Sequence, residues 1–90
     1  MKKSKRELER ILKGVANHNR LKILELLGKK PNLSVQEISS DVNSDFKNIS
    51  AHINKMYIAG LVKKRSEGSI VRHTLSKRGK SILQFVRIIE

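Results

Sequence analysis

The stretch Ser34–Val62, SVQEISSDVNSDFKNISAHINKMYIAGLV, constrains this chain more than any other. Ser34 and Glu37 have the spacing of a capping box, and Leu33 with Ile38 that of a hydrophobic staple. Val35, Ile38 and Val42 then fall on one helical face. Asn43 tolerates the left-handed backbone that ends a helix, and Asp45 is placed to cap the next one. In that second helix Ile49, Ile53 and Met56 share a stripe, with Phe46 and His52 at its margins. The opposite face carries Lys47, Ala51, Asn54 and Ile58, flanked by Asn48 and Lys55. Gly60 ends the helix, and the apolar period changes after it.

A short helix and a longer one across a tight turn, the second with a small, amide-rich and basic outer face, have the form of a helix-turn-helix, whose second helix enters the DNA major groove. The charge agrees. Lys and Arg number 20 against 8 Asp and Glu, a formal net charge of +12 that calls for a polyanionic partner. A chain of 90 residues holds one small core, so a single domain is expected over 1–90. A membrane surface also attracts cations, but no apolar run nears the roughly 18 residues that span a bilayer. MKKSKRELER has no apolar signal region either, which predicts a cytoplasmic protein with no membrane partner. The absence of cysteine excludes disulfides, thiolate metal sites and thiol redox sensing.

Residues 1–6, MKKSKR, read as a basic tail, either a solvated end or an arm against DNA. Leu8, Ile11, Leu12 and Val15 follow at helical spacing, ending near Gly14. Asn17 is positioned to cap a second helix holding Leu21, Ile23, Leu24, Leu26 and Leu27, which Gly28 is expected to stop ahead of Pro31. The helix-turn-helix spans 34–59. Beyond it, Leu61–Arg65 and Ser69–Leu75 read as strands around Ser66-Glu67-Gly68-Ser69, a hairpin over 61–75. A hairpin directly after such a helix is the wing of a winged helix, made basic here by Lys63, Lys64, Arg65, Arg72 and His73. Those charges either blunt an exposed edge strand or reach phosphates. A last helix over 77–90 starts near Ser76 or Lys77. The expected fold is mainly α (α+β): a winged helix-turn-helix of about five helices with a two-stranded β wing.

The segment NISAHINKMYIAGLV resembles the recognition-helix signature of ArsR-type winged-helix repressors, roughly V-S-x-H-L-x-x-L-x-x-A-G-L-V. The match runs through Ile49, Ser50, His52, Ile53, Met56, Ala59, Gly60, Leu61 and Val62. ANHNRLKILELL resembles the family's A-D-P-T-R-L-R-I-L-x-L-L segment, with Arg20, Leu21, Ile23 and Leu24 in register. The likeness covers about residues 8–75, and the ending is closer to the L-T-x-x-G-R-x-x-L of MarR-like winged helices. It implies a dimeric, sequence-specific transcription regulator bound to double-stranded DNA, a repressor that blocks polymerase at a promoter.

On this reading Lys47, Asn48, Ser50, Ala51, Asn54 and Lys55 face DNA from the helix, and Lys63, Lys64, Arg65 and Arg72 from the wing. Asn pairs bidentately with adenine, Lys reaches guanine or phosphate, and Ala51 offers a methyl. Ser50 falls on the family's near-constant serine, a hydroxyl for phosphate or a base edge. Phe46 stands where Gln is common and, being apolar, is expected to pack at the core edge. Ser66 and Ser69 replace the arginine that often flanks the wing-tip E-G, which weakens minor-groove insertion. His52, at the border of the core face, is expected to be packed rather than catalytic.

The family's metal sensors use cysteines before the recognition helix, or His and carboxylates on the last helix. VQEISSDV and KSILQFVRIIE hold neither set, and His18, His52 and His73 lie on different elements, so no metal and no cofactor are expected. No Gly-rich phosphate loop, Ser-His-acid set or carboxylate pair points to an enzyme. Ile82, Leu83, Phe85, Val86, Ile88 and Ile89 cover an arc too wide for one small core. A homodimer is therefore expected, built from Ile82, Phe85, Val86 and Ile89 with Leu8, Ile11 and Leu12. Two rival functions stay open. One is a winged helix that binds RNA or shapes DNA without sequence preference, the other a protein-interaction module using the last helix.

Overall fold

Side-chain caps set where the helices begin. In the computed structural model, which describes residues 2–90, the Ser34 Oγ accepts from the Glu37 N–H at 3.2 Å and the Glu37 carboxylate accepts from the Ser34 N–H at 2.9 Å. This box opens α3 (Val35–Asp41). Asn17 caps α2 (His18–Lys29), Asp45 caps α4 (Phe46–Ile58) and Ser76 caps α5 (Lys77–Ile89). Each such cap is worth about 1 kcal/mol. Asn43 takes the left-handed conformation, φ 54°, in the turn between α3 and α4.

A second capping box, Ser4 with Glu7, opens α1 (Lys5–Lys13). This corrects the basic tail expected over 1–6. Lys5 and Arg6 are helical because the Ser4-x-x-Glu7 pattern satisfies the first N–H groups, and Met1 lies outside the described residues. Gly28 also departs from expectation. It does not stop α2 but lies inside it, where an added Cβ would sit 2.4 Å from the Leu83 Cδ2 of α5. The glycine serves helix-to-helix approach, and the helix ends only at Lys29, ahead of Pro31.

The wing consists of β1 (Val62–Glu67) and β2 (Ile70–Leu75), antiparallel, with Val62 opposite Leu75 and Glu67 opposite Ile70. Ser66 and Glu67 therefore belong to the strand, and the loop shrinks from the expected four residues to Gly68-Ser69, a glycine-first two-residue connection. Leu33, in the loop after α2, pairs with His73 as a one-residue third strand. The core gathers Ile23, Leu24 and Leu27 of α2, Ile38 of α3, Ile49, Ile53 and Met56 of α4, then Leu61, Leu75 and Leu83.

Ile11 and Val15 join that core. Ile11 is thus withdrawn from the expected subunit surface, because α1 turns it toward its own domain. Leu8 and Leu12 remain exposed. On α5, Leu83 is buried and Ile82 and Val86 lie half-buried against the core, while Phe85, Ile88 and Ile89 are left in solvent.

His73, expected among the wing's cations, is not one of them. It is buried, alternating with Leu75 on the inward side of β2, and its Nδ1 lies 2.9 Å from the Leu33 carbonyl oxygen. The neutral ring donates from Nδ1, and a second proton would be buried. Burial, opposed by the Leu33 hydrogen bond and reinforced by Lys64, holds its pKa below the ordinary 6.5. The unfolded chain then binds more protons, so stability is full above pH 6.5 and declines as pH falls from there through the folded value. His52 titrates in the same direction. Urea midpoints measured between about pH 8 and about pH 5.5 are expected to fall with pH, and His73→Gln to flatten that dependence. A midpoint that rises on acidification contradicts this.

Candidate nucleic-acid interface

Helix periodicity turns Ile49, Ile53 and Met56 of α4 inward and leaves Lys47, Ser50, Ala51 and Asn54 facing out. The strand register supplies the facing wall. Lys64 is opposite His73, and residues opposite each other share a sheet face, so Lys64 points to the α4 side. These five residues line an open cleft of about 470 Å³, with Val35, Phe46, Ile53 and His73 completing its walls. The Lys64 Nζ lies 4.3 Å from the centroid of the Tyr57 ring, a cation–π contact that holds it over the last turn of α4. Among the described residues Lys47, Lys55, Lys63 and Lys64 form no ion pair with a carboxylate, so their charge is open to an outside anion.

The remaining expected residues lie outside this cleft. Asn48 donates its side-chain amide to the Ser44 Oγ at 3.1 Å. Lys55 flanks α4 on its other side, where it lines a separate cavity of about 230 Å³ with Arg10, Lys13 and Arg20. The Arg20 Nε and the His52 Nδ1 are both buried without a hydrogen-bond partner among the described residues. His52 is held neutral by burial first and then by the charges of Arg20 and Lys55. Lys63 and Arg65 occupy the hairpin face opposite to that of Lys64. Arg65 pairs with Glu67 at 3.2 Å.

Arg72, expected at phosphates, is tied up inside the protein. Its Nε donates to Glu67 at 3.0 Å, and its Nη1 donates to Glu37 at 3.1 Å and to the Asn32 carbonyl oxygen at 3.2 Å. It braces the wing against the start of α3. The Arg72 hydrogen bond, then that of Arg65, holds the Glu67 carboxyl below its ordinary range. Glu37 is lowered chiefly by the Ser34 backbone N–H it caps. One carboxylate thus closes a helix cap and anchors a wing.

Phe46 corrects a second expectation. It does not pack at the core edge but is 57% exposed at the first turn of α4. Its ring borders both the cleft and a neighbouring hollow walled by Val35, Ile70 and Val71. Among the described residues no three metal-ligating side chains lie within reach of one ion, and no helix is long and apolar enough to cross a membrane.

A capped helix, a tight turn, an outward-facing basic helix and an immediate two-stranded wing define a winged helix-turn-helix protein. The sequence profile described as "Bacterial regulatory protein, arsR family" matches residues 17–64. HlyU from Vibrio cholerae is 32% identical with a TM-score of 0.84, over 99% of this chain and 97% of its own. NolR from Sinorhizobium fredii superposes with a TM-score of 0.85 at 24% identity, over 94% of this chain and 85% of its own. A homodimeric winged helix-turn-helix DNA-binding domain from Mycobacterium bovis does so with a TM-score of 0.83, also at 24%, over 99% and 88%. No curated protein matches in sequence. The chain belongs to the ArsR family of bacterial regulatory proteins, winged-helix DNA-binding transcription regulators.

Proposed function

We propose that this regulator binds a specific duplex sequence as a homodimer and represses transcription by occluding a promoter. The cleft carries the reading: Lys47, Ser50, Ala51, Asn54 and Lys64 converge on one open wall between α4 and the wing, without a carboxylate to neutralise them. In this arrangement Lys47 and Asn54 meet base edges in the major groove, and Ala51 approaches them with a methyl. Ser50 and Lys64 hold the adjoining phosphates. Asn48 reaches a base once it releases Ser44. Lys55, Lys63 and Arg65 add phosphate contacts at the margins, whereas Arg72 acts indirectly by keeping the wing in place.

The dimer is supported by the exposure of Leu8 and Leu12 on α1 and of Phe85, Ile88 and Ile89 on α5, and by the homodimeric state of the similar domain from Mycobacterium bovis. A symmetric pair sets two recognition helices about 34 Å apart, one turn of duplex. Blocking a promoter follows from occupying such a site.

Selection of bound duplexes from a random pool tests the reading. A pseudo-palindromic motif is expected, with log affinity falling linearly in log salt at about −0.9 per phosphate neutralised. Asn54→Ala is expected to relax preference at one base pair per half-site, by roughly 1–3 kcal/mol if the contact is bidentate. Lys64→Ala weakens all sequences alike. Selection that yields no motif, with affinity equal for unrelated duplexes, favours the non-specific reading instead.

A further inference from the structure

Folding does not account for the position of the Phe46 side chain, an exposed ring at the edge of the cleft. Ile49, Ile53 and Met56 of the same helix are buried, yet this ring at its first turn leaves over half its surface in water, as Ile58 does at the far end. Exposed apolar groups gathered at one place mark a contact surface more often than scattered ones do. Here Val35, Ile70 and Val71 stand beside the ring, and the methyl of Ala51 lies in the adjoining cleft. Lys47, Asn54 and Lys64 surround that apolar ground with cationic and amide groups. The occupant must therefore be polyanionic at its edges and carry a small apolar group between them. Duplex DNA has one such group in the major groove, the 5-methyl of thymine, which apolar side chains recognise by contact.

We infer that Phe46, with Ala51 beside it, forms a methyl-reading subsite for thymine, an inference that rests on α4 being the DNA-reading helix. Where hydrogen-bonding residues distinguish bases by donors and acceptors, this subsite distinguishes thymine from every base lacking the methyl, uracil included. Phe46 is then a specificity-determining residue. Its exposure in the free protein is the condition for that contact, and burial comes only when the groove covers it.

The test uses the duplex obtained by selection, with each thymine replaced in turn by deoxyuridine, which removes the methyl and keeps every hydrogen-bonding group. For the unmodified protein, one or two positions per half-site are expected to lose about fourfold in affinity, the worth of one buried carbon group. In Phe46→Gln the same replacements are expected to cost clearly less, since the ring is gone and only the Ala51 methyl remains. Phe46 is exposed, so this variant keeps its fold, and the deoxyuridine series on the unmodified protein needs no variant at all. Equal affinity for thymine and uracil at every position overturns the inference while leaving DNA binding standing. A uracil penalty that persists unchanged in Phe46→Gln overturns it too, by assigning the methyl contact elsewhere. Failure of the unmodified protein to bind any duplex at low salt refutes the DNA-reading role of α4 itself, and the methyl subsite with it.

Discussion

Phe85→Glu combined with Ile89→Glu is expected to give a folded monomer whose affinity for a palindromic site falls by about a hundredfold or more, the avidity lost when two linked half-site contacts become one. The choice of positions follows from burial. Phe85 is 51% and Ile89 65% exposed, so neither contributes much to its own core. Ile82 and Val86, expected at the same surface, rest partly against that core and would confound loss of assembly with loss of fold. A charge placed between two apolar helices must be desolvated, at a cost far above that of removing the side chain. Sedimentation and far-ultraviolet circular dichroism separate the two effects. If the unmodified protein already sediments as a monomer at micromolar concentration, the dimer is wrong.

Gly79→Ala is expected to destabilise by about 3 kcal/mol, the upper end of overpacking costs, although alanine improves helix propensity by about 1 kcal/mol. The reason is where the new carbon would go. A Cβ at residue 79 would sit 2.1 Å from the carbonyl oxygen of Leu61, a backbone atom that also accepts the Ser76 N–H at 3.0 Å. Neither helix nor strand yields without moving the other. For a domain of this size such a loss corresponds to roughly 12–24 °C in Tm. Gly28→Ala makes the instructive contrast, since its new carbon meets only the end of the Leu83 side chain. That side chain can rotate, and a net change within about 1 kcal/mol is expected. Thermal melts of both variants check the ranking, which fails if Gly28→Ala is the worse of the two.

Gly28 also shows which features the sequence alone does not carry. The helices and the wing were legible because local chemistry dictates them: Ser34, Asn17 and Asp45 cap what they were expected to cap, and the stripe Ile49–Ile53–Met56 faces the core. The family was legible as well, through residues 16–27 and 48–62, and the profile match over 17–64 agrees. Errors arose where a residue answers to something distant in sequence. Gly28 looked like a terminator because its partner Leu83 lies in another helix. Arg72 looked like a free cation because two of its three acceptors, Glu37 and Asn32, precede it by 35 and 40 residues, and the third, Glu67, comes within reach only across the paired strands. His73 was legible in part, since it alternates with Val71 and Leu75 on one side of β2, but its basic neighbours drew it into the wrong class. The Ser4 box repeated a pattern already recognised at Ser34, and only its nearness to the chain start concealed it. Phe46 resisted for a different reason, because nothing local distinguishes an apolar residue at a core edge from one held out for a ligand.

The end of α4 closes in a Schellman turn, with Gly60 at φ 78° and the Leu61 N–H on the Met56 carbonyl. Its outermost carbonyls do not face water. The Ser76 hydroxyl donates to Gly60, and Arg78 donates to Ala59 at 3.0 Å. The last turn of the recognition helix is therefore capped by the first turn of α5, and neither can fray without stranding polar groups of the other. The two are therefore expected to open together. If a second subunit packs on α5 as proposed, it would lengthen the lifetime of the closed recognition helix, and assembly would restrain the motion of the reading surface from behind without touching DNA.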